Sequence, residues 1–251
     1  MIKIDKSKNL PPILVSEEKN WTKELLDEIN KCGSFNKLPD SIKTIVSNRY
    51  KHYEIKDLLI PKPDTKCAFC ESIPNESGYI EIEHFFPKAI YPDKTYVWEN
   101  LLPSCKRCNL KKLSLDTVKY PIVKPDIDNP EDYFSYDNIK IVVKKNTVDS
   151  KVANRTIDRL DLNQFRLIKP RSEYLVSLVD YESKLEKTLK ELSLSKAKSK
   201  KERLINNILE SLDILDDLKN KNRKFSGFCQ NYINNSKIIN KARNITKLAL
   251  K

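Results

Sequence analysis

Cys67-Ala-Phe-Cys70 and Cys105-Lys-Arg-Cys108 are the stretches on which the reading of this chain turns. Two residues between cysteines let both sulfurs of a knuckle face one ion, and two such knuckles supply the four thiolates that tetrahedral zinc prefers. The matched spacings therefore predict a structural four-cysteine zinc site rather than a disulfide framework. Between Cys70 and Cys105 lie 34 residues, more than a bare zinc ribbon needs, so the knuckles bracket an insert. Cys32 and Cys229 stand alone and read as small buried hydrophobes.

The insert carries Glu81-Ile-Glu83-His84-Phe-Phe-Pro87-Lys88 and Trp98-Glu-Asn100, and the second knuckle runs directly into Asn109-Leu-Lys-Lys112. A neutral imidazole, with an ordinary pKa of about 6.5, can take a proton from water. Glu83 offers a carboxylate, and Asn109, near the start of a helix, offers an amide oxygen. Hard oxygen ligands in so sparse a set suit Mg²⁺, which keeps several waters and takes phosphate oxygens as ligands. Together these groups have the makings of metal-dependent phosphodiester hydrolysis.

The composition agrees with a nucleic-acid partner. The 251 residues, 39% of them apolar, suffice for one large domain or two small ones, and the net charge is +12. Cations that neutralise phosphates release condensed counterions, so a polyanion is the expected ligand class. The charge is uneven: residues 67–112 carry 6 basic and 6 acidic side chains, whereas 166–251 carry 20 and 10. A basic nucleic-acid surface is therefore expected in the C-terminal part. The N-terminus has no apolar signal core and no later run approaches the roughly 20 apolar residues of a membrane span, which predicts a soluble, cytoplasmic protein with no membrane partner. Only three glycines occur, leaving no phosphate-cradling loop, so any ATP dependence has to come from another subunit.

The expected architecture is mainly α with a small α+β insert. Residues 1–66 read as an extended Pro-rich arm followed by helices, the first from Ser16, as its cap, to Gly33 and the second from about Pro39 to Leu59, with Pro61 and Pro63 as breakers. His52 reads as a packed or partly solvated residue of that second helix. Residues 67–115 form the zinc-clamped core. Residues 116–149 form an irregular Pro/Asp-rich connection in which Ile139, Ile141 and Val143 alternate with Lys140, Val142 and Lys144 as in a short hairpin. From 150 to 251 basic helices dominate: Leu175, Leu178, Leu185, Leu189 and Leu192 make one apolar stripe, Leu204, Ile208, Leu212, Leu215 and Leu218 another, with a turn at Ser193–Lys201 between them. Phe225, Phe228, Tyr232, Ile238 and Ile239 are expected to pack back on that pair.

The string C-A-F-C, I-E-H-F-F-P-K, W-E-N-L-L-P-S-C-K-R-C-N-L-K-K resembles the zinc-stabilised HNH endonucleases, whose ββα-metal unit is a hairpin followed by a helix. That resemblance implies His84 as general base, Glu83 and Asn109 as ligands of a catalytic Mg²⁺ or Mn²⁺, Asn100 as the middle residue that orients the loop and the base, and Lys88 and Lys112 as phosphate contacts. The segments M-I-K-I-D-K-S, R-Y-K-H, P-I-V-K-P-D-I-D-N-P-E-D-Y-F-S-Y-D and T-I-D-R-L-D-L-N-Q further resemble the nuclease-subunit family of Septu anti-phage systems (PtuB), which also accompanies some retrons. The family implies an ABC/SMC-like ATPase partner (PtuA-like). Two positions depart from its pattern: Phe86 stands where Arg or Lys is frequent, and Gln164 where Arg is usual. On these grounds the expected activity is a metal-dependent endonuclease acting on DNA. Cleavage of RNA such as transfer RNA, or a non-catalytic zinc-stapled adaptor, are the rival readings.

Overall fold

A computed structural model describes residues 1–7, 9–61, 65–74 and 79–249. The first helix, α1 (Pro12–Cys32), begins four residues before Ser16. Pro12 sits in its first turn, where the missing N–H costs nothing and the fixed φ already suits a helix. Ser16 is thus inside the helix, its hydroxyl donating back to Ile13 O at 3.2 Å. Gly33 ends the helix as expected, at φ 86, with its N–H donating to Ile29 O at 2.7 Å.

The single second helix expected over 39–59 is instead two, α2 (Asp40–Tyr50) and α3 (Tyr53–Leu59). His52 causes the break. Its backbone is extended and its Nδ1 accepts from Glu54 N at 3.4 Å, so it caps α3 rather than riding on a helix face. Pro61 follows α3 in irregular chain, while Pro63 lies outside the described residues.

β1 (Ile80–His84) pairs antiparallel with β2 (Leu101–Cys105), in a register running from Ile80 opposite Cys105 to His84 opposite Leu101. The helix α4 (Lys106–Lys112) follows β2 without a loop, and Cys105 Sγ, the last group of the strand, accepts from Cys108 N at 3.5 Å as the cap. Strand, strand and helix thus form one unit. Its apolar face joins α1, α2 and α3 in a single core of Leu14, Leu25, Val46, Tyr50, Ile55, Ile82, Tyr96, Trp98 and Leu101, among others, so the N-terminal helices brace the hairpin rather than standing apart from it. The expected arm lies along this core. Ile4 N donates to Pro125 O at 2.9 Å, Lys6 Nζ donates to Leu101 O at 2.8 Å and to Trp98 O, and Trp98 Nε1 donates to Ser7 O at 3.1 Å.

Further along, β3 (Phe134–Asp137) and β4 (Lys140–Val143) make the second hairpin. The alternating residues from 139 are its second strand. Its first is Phe134-Ser-Tyr-Asp, and Asn138, at φ 50, makes the turn. α5 (Ser150–Arg159) is capped by the Asp149 carboxylate, which accepts from Lys151 N and Val152 N.

The chain divides into two compact units, residues 1–134 with 143–162, and residues 135–142 with 163–251. In the second, α6 (Phe165–Leu194) and α7 (Lys198–Leu218) are joined by a turn of three residues, tighter than expected. Leu178, Leu185 and Leu189 of α6 are buried with Leu204, Ile208, Leu212 and Leu215 of α7. α8 (Ser226–Asn235) and α9 (Lys237–Ala249) pack back on that pair through Phe228, Ile233 and Ile239. The protein is mainly helical, and among the described residues no helix is long and apolar enough to cross a membrane.

Candidate functional site

The four knuckle cysteines come together. Cys67, Cys70, Cys105 and Cys108 are all buried and their sulfurs lie within 4.8 Å of one another. Four sulfurs at about 2.3 Å from a tetrahedral zinc stand about 3.8 Å apart, and Cys70 Sγ lies 3.8 Å from Cys105 Sγ. The set fits a structural zinc ion. Backbone bonds hold the first knuckle: Cys67 N donates to Ser72 O at 2.9 Å, and Ala68 N donates to Pro103 O at 2.8 Å, which fastens it to β2.

His84, the last residue of β1, is buried edge-on against Tyr50, with ring centroids 4.7 Å apart. Its Nε2 lies 2.9 Å from Thr95 O. A carbonyl can only accept, so Nε2 carries the hydrogen and Nδ1 keeps the lone pair. Burial, helped by the nearby Lys88 ammonium, pushes the imidazole pKa down to about 3, so the ring is neutral at physiological pH. With Nε2 pinned, Nδ1 is the nitrogen left to accept a proton, and so low a pKa makes it a weak acceptor unless the ring is stabilised in its charged form.

Along β1 the side chains alternate, which places Glu81 and Glu83 together on the face that α4 covers. Each meets a different residue of that helix. Lys112 Nζ lies 2.7 Å from Glu83 Oε1 and donates to His84 O at 2.8 Å. Both charged groups are almost wholly buried, Lys112 at 0% and Glu83 at 5% side-chain exposure. Burial pushes Glu83 up and Lys112 down, and their mutual attraction opposes both shifts. One turn earlier on α4, Asn109 Nδ2 donates to Glu81 Oε2 at 2.8 Å. Expected from sequence as a phosphate contact, Lys112 thus has its ammonium taken up by Glu83 and the strand backbone.

Asn100 is fully buried and ties the connection between the strands. Its Oδ1 accepts from Phe86 N at 2.6 Å, its Nδ2 donates to Phe86 O and Lys94 O, and its own carbonyl accepts from Phe85 N. These bonds fix the chain just beyond His84. Phe86 packs edge-on to Tyr91, and its ring centre lies 4.1 Å from the Lys94 ammonium.

Glu81, Glu83, His84, Lys88 and Asn109 line one cleft of about 750 Å³. Asn100 and Lys112 do not line it; they hold what does. Lys51, just past the C-terminal end of α2, and Lys56, in the middle of α3, also line the cleft and were not singled out from sequence. Their signal was weak, for they belong to an ordinary basic helical stretch. Glu81 left a clearer one: it stands two residues before Glu83 in a strand, hence on the same face.

Comparison with known proteins adds two curated relatives. The chain is 38% identical to Septu protein PtuB of Bacillus thuringiensis, over 66% of this chain and 57% of that protein. The chain resembles PtuB. A second Septu protein PtuB, from Bacillus mycoides, is 26% identical over 68% of this chain and 70% of its own length. The chain thus spans little more than half the length of the B. thuringiensis PtuB. No family model matches, and no solved structure does.

Proposed function

We propose that this chain is the nuclease component of a Septu-type anti-phage system, an HNH endonuclease with a ββα-metal core that hydrolyses phosphodiester bonds of nucleic acid, DNA in preference to RNA. What carries the reading is the placement of His84, with Nε2 bonded to Thr95 O and Nδ1 left as its accepting nitrogen, beside Glu81, Glu83 and Asn109 in one cleft. The resemblance to PtuB supports the defence role and, with the family's implied organisation, a PtuA-like ATPase partner.

In this reading the residues divide their work. His84 Nδ1 takes the proton of the attacking water, while the Thr95 carbonyl holds the ring in the tautomer that can do so. Glu83 and Asn109 have oxygens to hold a Mg²⁺ or Mn²⁺ ion; Lys112 occupies Glu83 Oε1 and leaves Oε2. When bound, such an ion neutralises charge developing on the scissile phosphate and its leaving oxygen. Lys88, with Lys51 and Lys56, supplies the positive wall that draws the phosphate backbone in. Asn100 positions the loop after His84, and the zinc knot fixes β2 to α4 and so fixes Asn109 against β1.

The test is to incubate the ATPase complex with plasmid and Mg²⁺, comparing wild type with His84→Ala. Loss of a general base costs about 10²- to 10⁴-fold in rate with binding largely intact. The variant should remain soluble and assembled, and equal cutting by both would remove His84 from the mechanism. Labelled DNA and RNA offered side by side to the same complex report the substrate.

A further inference from the structure

Asn109 can lend an oxygen to a cation only if its amide is held the right way round. A carboxamide presents Oδ1 and Nδ2 in nearly the same envelope, and half a turn about its last bond replaces the acceptor by two N–H donors that repel a cation. Asn109 sits half-buried on the cleft wall, with Nδ2 2.8 Å from Glu81 Oε2. An ionised carboxylate has no hydrogen to give, so it selects the NH₂ end of the amide and leaves Oδ1 to the other side.

The two carboxylates of β1 are therefore not equivalent. Glu83 is buried and neutralised by Lys112, whereas Glu81 is half-buried, lines the cleft and, among the described residues, makes no ion pair. Its described hydrogen bond goes to Asn109. Both ends of that bond are on regular elements, Glu81 in the paired strand β1 and Asn109 in the helix that carries Cys108 of the four-cysteine cluster.

We infer that Glu81 is a positioning residue, which fixes the Asn109 amide with Oδ1 facing the cleft and so sets the affinity of the catalytic divalent ion. The assignment rests on the metal-dependent nuclease proposed above. It separates three duties along β1: Glu81 orients a ligand, Glu83 is one, and His84 moves the proton.

A double-mutant cycle in Mn²⁺ binding tests it, read by the electron-paramagnetic-resonance signal of free Mn²⁺ with the zinc-loaded full chain. A glutamine in place of Glu81 can offer either end of its own amide, so Glu81→Gln removes the selection, and Mn²⁺ affinity should fall about tenfold, the lower end of what loss of an outer partner costs. An aspartate in place of Asn109 has oxygen at both ends and needs no selection. In an Asn109→Asp background the same Glu81→Gln change should therefore alter affinity by less than about twofold. Glu81→Ala serves as a second variant, and all forms are compared at equal zinc content. In the cleavage assay Glu81→Gln should raise the half-activating Mn²⁺ concentration while the rate at saturating metal recovers. An equal loss in both backgrounds overturns the orienting role, as does no loss in the Asn109 background. A wild-type chain that binds no Mn²⁺ overturns the nuclease proposal instead, and the two failures are told apart by that control.

Discussion

Replacing Lys112 by Met removes the ammonium bonded to Glu83 while keeping the length and much of the volume of the side chain. Lys112 Nζ is 2.7 Å from Glu83 Oε1, and both groups are cut off from water. Breaking a buried pair by removing one partner costs about 3–5 kcal/mol, since the survivor is left charged and unpaired. Glu83 has an escape, which is to bind a proton. With an unfolded pKa of about 4.3, protonation at pH 7 costs about 3.7 kcal/mol and so caps the penalty near that figure. The sign follows: without Lys112 the folded pKa of Glu83 lies far above its unfolded value, so the deficit is full near neutrality and shrinks as pH falls toward the unfolded value. At pH 5 the cap is about 1 kcal/mol by the same arithmetic. Urea denaturation of the zinc-loaded chain at both pH values measures this. The melting point at pH 7 should drop by about 7–15 °C, at about 2–4 °C per kcal/mol for a chain of this size. Glu83→Gln combined with Lys112→Met should recover most of the loss, because no buried charge remains. A Lys112→Met protein within about 1 kcal/mol of wild type at pH 7, but weaker in nucleic-acid binding, would refute the buried-pair account and restore Lys112 as a phosphate contact.

Two more perturbations probe the scaffold. Cys105→Ala, at the last residue of β2, removes one of the four clustered thiolates and the cap of α4 together; structural zinc contributes on the order of 10 kcal/mol in small domains, so the purified variant should carry no zinc by elemental analysis and lose hydrogen-exchange protection across β1, β2 and α4. Full zinc content with intact protection would argue against the four-cysteine site. Lys6→Met tests the arm: burial holds the Lys6 pKa down to about 8, so between pH 8 and 10 the unfolded chain keeps a proton that the folded chain has released, and folding gains with pH. Wild type should gain about 2 kcal/mol on the Met variant across that window, and parallel pH profiles would show that Lys6 titrates as if exposed.

The cysteine knuckles were legible because metal geometry ties function to spacing: two matched C-x-x-C pairs need no tertiary information to imply one ion. The apolar stripes of α6 and α7 were legible for the same reason, a period that packing enforces. What escaped were local events with weak sequence marks. Pro12 opens α1 where Ser16 offered the better-known cap, and His52, a middling helix former, caps α3 with its ring nitrogen and divides a helix that periodicity alone would run through. The burial of Lys112 went unread although the sequence held it. Cys108, one of the four clustered cysteines, faces inward, and a residue four positions on lies on the same helical face, so Lys112 had to point inward as well. A buried lysine needs an anion, and the strand that α4 covers supplies two.

Charge explains why the zinc-clamped stretch needs the helices before it. Residues 67–112 are balanced at 6 basic and 6 acidic, and one of those cations, Lys112, is spent inside on Glu83. Lys88 alone among them lines the cleft with the catalytic candidates, whereas Lys51 and Lys56 reach it from α2 and α3. The same elements carry Tyr50, against which His84 is packed, and the buried Val46, Ile55 and Leu59 that seat them in the core beneath β1. A phosphate entering the cleft therefore meets an acidic wall from β1 and a basic wall drawn largely from outside the zinc stretch. A divalent ion on the acidic wall would reverse its sign and let the two walls grip one phosphate from opposite sides. Without the ion, Glu81 repels what the lysines attract, while Glu83 is already neutralised by Lys112. On this account metal and nucleic acid should bind cooperatively: Mn²⁺ should tighten binding of an uncleavable phosphorothioate oligonucleotide, Lys51→Ala with Lys56→Ala should weaken binding with and without metal, and Glu83→Gln should weaken only the metal-dependent part. Binding indifferent to Mn²⁺ in wild type would show that the two walls do not share a ligand.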